Sequence, residues 1–187
     1  MNELLWYVSR ASGVVSMALM TIVLVLGMVT AGRRRPTGES ATIVMGLHRW
    51  LSLGMVAFLT AHVATAVAET YVPIDAISAV VPFTSGYETV WVGLGTLGVD
   101  IMVAVTVSSL LRHRLSPRLW KTVHLLSYAL WPTAIAHGFM LGTANEPLLR
   151  GITVLCALVG AGAIAWRVNA THADRERRLH VVTQEWS

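Results

Sequence analysis

The sequence predicts an all-α integral membrane protein, a bundle of five transmembrane helices. Three observations predict it. Hydrophobic residues make up 55% of the chain and charged residues only 13%, against about 25% charged in a soluble domain. Five apolar runs each approach or exceed the roughly 20 residues that span a bilayer. The basic residues fall in short clusters between those runs, as membrane topology requires. That clustering also sets aside nucleic acid as the partner of the net charge of +4.

The first span is expected from about Leu4 to Ala31. It opens on the interfacial aromatics Trp6 and Tyr7 and stops at Arg33-Arg34-Arg35-Pro36. It is too long for a signal peptide and has no A-x-A-like site before the arginines. The second span runs from about Ala41 to Ala68. The segment from Glu69 to Glu88 then breaks the pattern with Pro73, Pro82, acidic residues and no Lys or Arg, and reads as an outside loop with a short interfacial helix near Ile74 to Val81. The third span runs from about Val90 to Leu111, with Gly93, Gly95 and Gly98 and then Asp100 near mid-membrane. A basic loop, RHRLSPRLWK, precedes the fourth span, about Leu119 to Leu141. The turn GTANEP leads to the fifth, about Leu148 to Trp166. The organisation is a transmembrane domain over 1–168 and a polar, basic tail over 169–187.

Orientation follows from the positive-inside rule. Arg33, Arg34, Arg35, Arg49, Arg112, Arg114, Arg118, Lys121, Arg167, Arg175, Arg177 and Arg178 lie in the candidate inside segments, and only Arg10 and Arg150 in the outside ones. Twelve against two implies an N-terminus outside, a cytoplasmic C-terminus and a multi-pass protein of the cell membrane.

Four histidines carry the chemistry. His48 and His62 lie on the second span, His124 and His137 on the fourth. Ionisable side chains within a bilayer are costly, which marks them as functional. Both spans run from inside to outside, so His48 and His124 share a depth near the cytoplasmic face and His62 and His137 a depth near the outer face. The 14 residues from His48 to His62 separate the levels by about 21 Å. That is an axial-ligand set for two stacked haems, one histidine from each helix at each level. On an ideal helix His48 and His62 share a face, whereas His124 and His137, 13 residues apart, stand about 140° apart. Pro132 between them is expected to supply the distortion that re-aims His137. A single non-haem metal site is disfavoured by the depth separation, and simple interhelical hydrogen bonding is the bland alternative. The lone Cys156 leaves no C-x-x-C-H, so any haem is held by axial ligands and not covalently. His113, His172 and His180 read as solvated.

At these residues the chain resembles the ferric reductase-like transmembrane domain family, which includes ferric reductases, NADPH oxidases and the haem subunit of a periplasmic methionine sulfoxide reductase system. The resemblance rests on H-x13-H on one span and H-x12-H on a later, parallel one. It also rests on the run SSLLRHRLSPRLWKTVHLLSYALWPTAIAHG and on WYVSRASGVVSMALMTIVLVLG and VPFTSGYETVWVGLGTLGVD, which are similar to bacterial members. It implies two b-type haems as the cofactors, His48 and His124 on the inner and His62 and His137 on the outer. It implies transmembrane electron transfer from the cytoplasmic side to the outside, as a component of an oxidoreductase. Many members continue into a flavin and nicotinamide domain. Here no G-x-G-x-x-G opens a βαβ unit, so the expected donor is a separate flavoprotein or quinol. The acceptor is external: ferric iron, a flavin protein or oxygen.

Arg10, Arg49, Arg118 and Lys121 are candidate partners of haem propionates, since cations complement carboxylates. For Arg10 snorkelling to the headgroups competes with that role, and for the others a topology signal does. Gly54 could make room for a porphyrin or serve helix packing. Trp131, Tyr128 and Phe58 could line haem edges or simply pack. Two other functions stay open: a quinol-oxidising haem b subunit of a multi-component reductase, and a non-redox transporter or scaffold.

Overall fold

The computed structural model describes residues 2–31, 36–70, 72, 74–142 and 146–185, with 2 and 171–185 as backbone only. The helices are α1 (Asn2–Thr30), α2 (Gly38–Ala68), α3 (Thr89–Leu110), α4 (Pro117–Leu125), α5 (Ser127–Leu141) and α6 (Pro147–Glu185). No strand occurs among the described residues. Four helices are long and apolar enough to cross a membrane: α1, α2, α3 and α6 as far as Ala170. The protein is therefore an all-helical, multi-pass membrane protein. Arg33, Arg34 and Arg35 lie outside the described residues, as do the side chains of His172, Arg175, Arg177, Arg178 and His180.

Burial is distributed as in a protein solvated by lipid. Large apolar side chains point outward, among them Leu53, Leu155 and Leu158, while Ser9, Ser12, Ser16, Thr21, Thr96 and Thr153 are buried. Small polar residues let helices approach closely and keep their hydroxyls satisfied on the helix backbone. Ser12 donates to the Val8 carbonyl at 2.6 Å and Ser16 to that of Gly13 at 2.9 Å. The interior is a layer of Met20, Leu24, Met28, Met55, Met102, Leu130 and Trp131. The Trp131 indole N–H donates to the Thr21 hydroxyl at 3.1 Å. Its ring lies on Gly160 of α6, where a Cβ would come within 2.2 Å of it.

Two expectations need correction. The fourth apolar run is two helices of nine and 15 residues, broken at Leu126 and not at Pro132, which sits inside α5. At the break the Leu126 N–H turns to the carbonyls of Val123 and His124, the tighter pattern of a last helical turn. Ser116 caps the start of α4, accepting from the Leu119 N–H at 3.3 Å, with Pro117 in the first turn. The interfacial helix expected near Ile74–Val81 is a run of turns, with one helical hydrogen bond from the Val81 N–H to the Ile77 carbonyl at 2.7 Å. Asp75 takes the Ser78 N–H at 2.7 Å, and Pro82 follows at once, so the turn has no room to propagate. The Ser78 hydroxyl, which also donates to Asp75, and this N–H together hold the Asp75 carboxyl below its usual range. Beyond its membrane part, α6 runs on through 169–185 as helix.

The helices form two groups that position the site. α1 packs closely along α2 and also touches α5 and α6, and α3 packs on α4 and α5. Between α2 and the α4–α5 pair there is no comparable backbone packing among the described residues. A slot runs between them, bridged at two levels by side chains.

Candidate functional site

The bridging side chains are the four histidines. His48 and His124 face each other with ring centroids 6.4 Å apart, and His62 and His137 at 6.2 Å. The helix wheel misplaced His137 because it treated His124 and His137 as one continuous helix. They stand on separate helices, and the ideal angular offset does not carry across the break. Below, the end of the bundle with Ser9 and Glu69 is called the upper end and the other the lower.

Three of the four rings are fixed from behind by one device. The Nδ1–H of His62 donates to the Ser9 carbonyl at 2.8 Å, that of His137 to the Trp91 carbonyl at 2.8 Å, and that of His48 to the Val23 carbonyl at 3.2 Å. A carbonyl can only accept, so each Nδ1 carries the hydrogen and each Nε2 is left as a bare lone pair. In every case the residue four positions after the accepting carbonyl is a glycine. A Cβ on Gly13 would sit 2.8 Å from His62 Nδ1, one on Gly95 2.5 Å from His137 Nδ1, and one on Gly27 3.5 Å from His48 Cε1. The missing side chain is what lets the His62 and His137 rings reach into the neighbouring helix, whereas at Gly27 a Cβ would make an ordinary contact.

His124 is the exception. Its Nδ1 is buried and unpartnered, as is Nε1 of Trp120. The Trp120 ring stacks on the His124 ring at 5.2 Å and 24°, and the Arg112 guanidinium lies 4.3 Å from the centre of the Trp120 ring. Trp120 and His124 are four residues apart on α4, one helical turn, which makes them neighbours on one face.

At the upper end a cavity is lined by His62, His137, Met17, Leu59, Arg10 and Glu69. Arg10 donates to the carbonyl of Leu141, the last residue of α5, where a cation complements the helix end. It also lies 5.4 Å from the centre of the Trp6 ring. Glu69 is buried, with one carboxylate oxygen unpartnered. Burial pushes its carboxyl above the usual range, offset in part by Arg10.

The remaining candidates are less engaged. Arg49, Arg118 and Lys121 are exposed near the lower pair in sequence. Gly54 meets only Leu19 of α1, at an ordinary 3.7 Å. Phe58 and Tyr128 are partly exposed at the surface, whereas Trp131 is core. Sequence reasoning missed Gly13, Gly27, Gly95, Glu69, Arg112 and Trp120. One signal was available: Gly13 and Gly27 are 14 residues apart, the same step as His48 to His62 on the helix packed against them.

The pairs fit a haem iron between them. Two imidazoles holding one iron between them through bonds of about 2 Å would have their ring centres about 6 Å apart. The observed 6.4 and 6.2 Å match that span. No group of three or more His, Cys, Asp or Glu that could hold a bare metal ion occurs among the described residues. Fold and site together define a multi-pass helical membrane protein with two facing histidine pairs at two depths. Residues 12–135 match the family model "Ferric reductase like transmembrane component", more than half of the chain, and the protein belongs to that family. The match contains His48, His62 and His124 and ends two residues before His137. No curated protein and no solved structure matches the chain.

Proposed function

We propose that this protein carries electrons across the cell membrane through two b-type haems, as a five-span membrane cytochrome. His48 and His124 ligate the lower, inner haem and His62 and His137 the upper, outer one. The observation that carries the reading is the pair of ring separations, 6.4 and 6.2 Å, each spanning the slot between α2 and α4–α5. When bound, haem iron supplies reversible one-electron chemistry. The protein's part is to present Nε2 lone pairs, hold each ring's orientation from behind, and keep the sites in an apolar slot. Arg10 sits at the upper cavity, where it can meet a propionate. Arg49, Arg118 and Lys121 are placed by sequence to do so below.

In this reading the N-terminus is outside and the C-terminus cytoplasmic, as supported by the twelve-to-two distribution of basic residues. In this reading electrons enter from a separate donor, a flavoprotein or quinol. They leave to an external acceptor such as ferric iron, a flavin protein or oxygen. Reduced-minus-oxidised spectra of membranes carrying the protein should show low-spin haem b bands. A C-terminal reporter active only in the cytoplasm should give signal. Absence of the bands sinks the cytochrome reading, and signal from a reporter active only outside reverses the orientation.

A further inference from the structure

The hydrogen bonds behind the four histidines are unequal between the two levels. At the upper level both rings donate at 2.8 Å to a backbone carbonyl. At the lower level His48 donates at 3.2 Å and His124 finds no acceptor. A hydrogen bond from the far nitrogen of a metal-bound imidazole gives it imidazolate character and makes it a stronger donor to the metal. Stronger donors favour the more oxidised metal and lower the reduction potential.

We propose that this difference makes the upper haem the more reducing of the two, and that Gly13 and Gly95 are the positioning residues that set it. The inference rests on the two-haem reading above.

Charged groups stand at both levels. Arg10 stands at the upper cavity and Arg112 beyond Trp120 at the lower site. Arg150 also lines the upper cavity, and Arg49, Arg118 and Lys121 lie exposed near the lower pair in sequence, so cations stand at both levels and are not concentrated at the upper one. Glu69 adds a carboxyl at the upper cavity, which acts in the same direction as the hydrogen bonds when ionised. The lower site also has the stack of Arg112 on Trp120 on His124. That stack fills one face of His124 with a ring and a cation and offers it no acceptor.

The contacts grade the glycines. An added methyl at Gly13 or Gly95 would lie 2.8 or 2.5 Å from a ring nitrogen, too close to be tolerated without moving the ring. At Gly27 it would lie at 3.5 Å, an ordinary contact, and at Gly46 and Gly162 it would meet nothing within 4 Å.

The test is a spectroelectrochemical titration of the haem-loaded full chain, with haem content and EPR recorded on the same samples. The wild type should titrate as two components of different potential. Loss of the higher-potential one in His48→Ala, and of the lower-potential one in His62→Ala, supports the ordering. Gly13→Ala and Gly95→Ala should move the lower-potential component upward and alter its EPR signal, or remove it, while the other component stays as an internal standard. Gly46→Ala and Gly162→Ala should titrate as wild type. The proposal is overturned if the lower-potential component is the one lost in His48→Ala, a result that needs no glycine variant to accumulate. It is equally overturned if Gly13→Ala and Gly95→Ala leave the upper component's potential and EPR signal unchanged. A wild type that binds no haem, or a single haem, fails the two-haem reading instead, so the two failures are told apart.

Discussion

His62→Ala and His137→Ala should each abolish the low-spin signal of one and the same haem and leave the other intact. The two rings face each other at 6.2 Å, and both are fixed by 2.8 Å bonds to backbone carbonyls. Removing either leaves a site with one axial ligand, which is lost or becomes five-coordinate and high-spin. The double substitution should add little, because the pair acts as one unit. The lower pair lies about 21 Å away along α2, beyond the reach of a local rearrangement. His48→Ala should remove the other component in turn. Electron delivery across the membrane should fail in all of these variants, since the sites act in series. EPR or low-temperature optical spectra of each variant decide the matter. If His62→Ala and His137→Ala perturb different components, the pairing across the slot is wrong.

Trp131→Ala should be the most damaging substitution away from the histidines. Trp131 ties three helices together: it stands on α5, donates to Thr21 of α1 and packs its ring on Gly160 of α6. Truncating a buried tryptophan costs about 3–5 kcal/mol through lost contacts and the cavity left behind. The Thr21 hydroxyl keeps its own bond to the Met17 carbonyl at 3.0 Å, so the loss is one of packing more than of polarity. Because α5 holds His137 directly and adjoins α4 with His124, both histidine levels should loosen. Thermal release of haem in detergent should occur at a clearly lower temperature than in wild type. Phe58→Ala, at a surface-facing position 43% exposed, should change it little. Equal melting of Trp131→Ala and wild type would contradict the role of this layer.

Much of this was legible in the sequence because it depends on solvent preference and spacing. Hydropathy located α1, α2, α3 and the membrane part of α6, and equal depth paired the histidines. The break at Leu126 was not legible. Leu125-Leu126-Ser127-Tyr128 contains no glycine or proline, and the proline that drew attention, Pro132, is accommodated inside α5. The acceptors behind the histidines were hidden for a different reason. The carbonyls of Ser9, Val23 and Trp91 belong to the backbone, which every residue has, so no side-chain pattern marks them. Their only trace is the glycine four residues later, and a glycine in a membrane helix reads equally as simple packing. Glu69 and Arg10 lie far apart in the chain and share a cavity only once α1 and α2 are packed together.

Haem content per chain tests the central claim most directly. A pyridine haemochrome assay on the purified protein, set against protein mass from amino-acid analysis, should give two b-type haems per polypeptide, both six-coordinate and low-spin by EPR. A ratio near one, or none, would contradict a protein built around two facing histidine pairs.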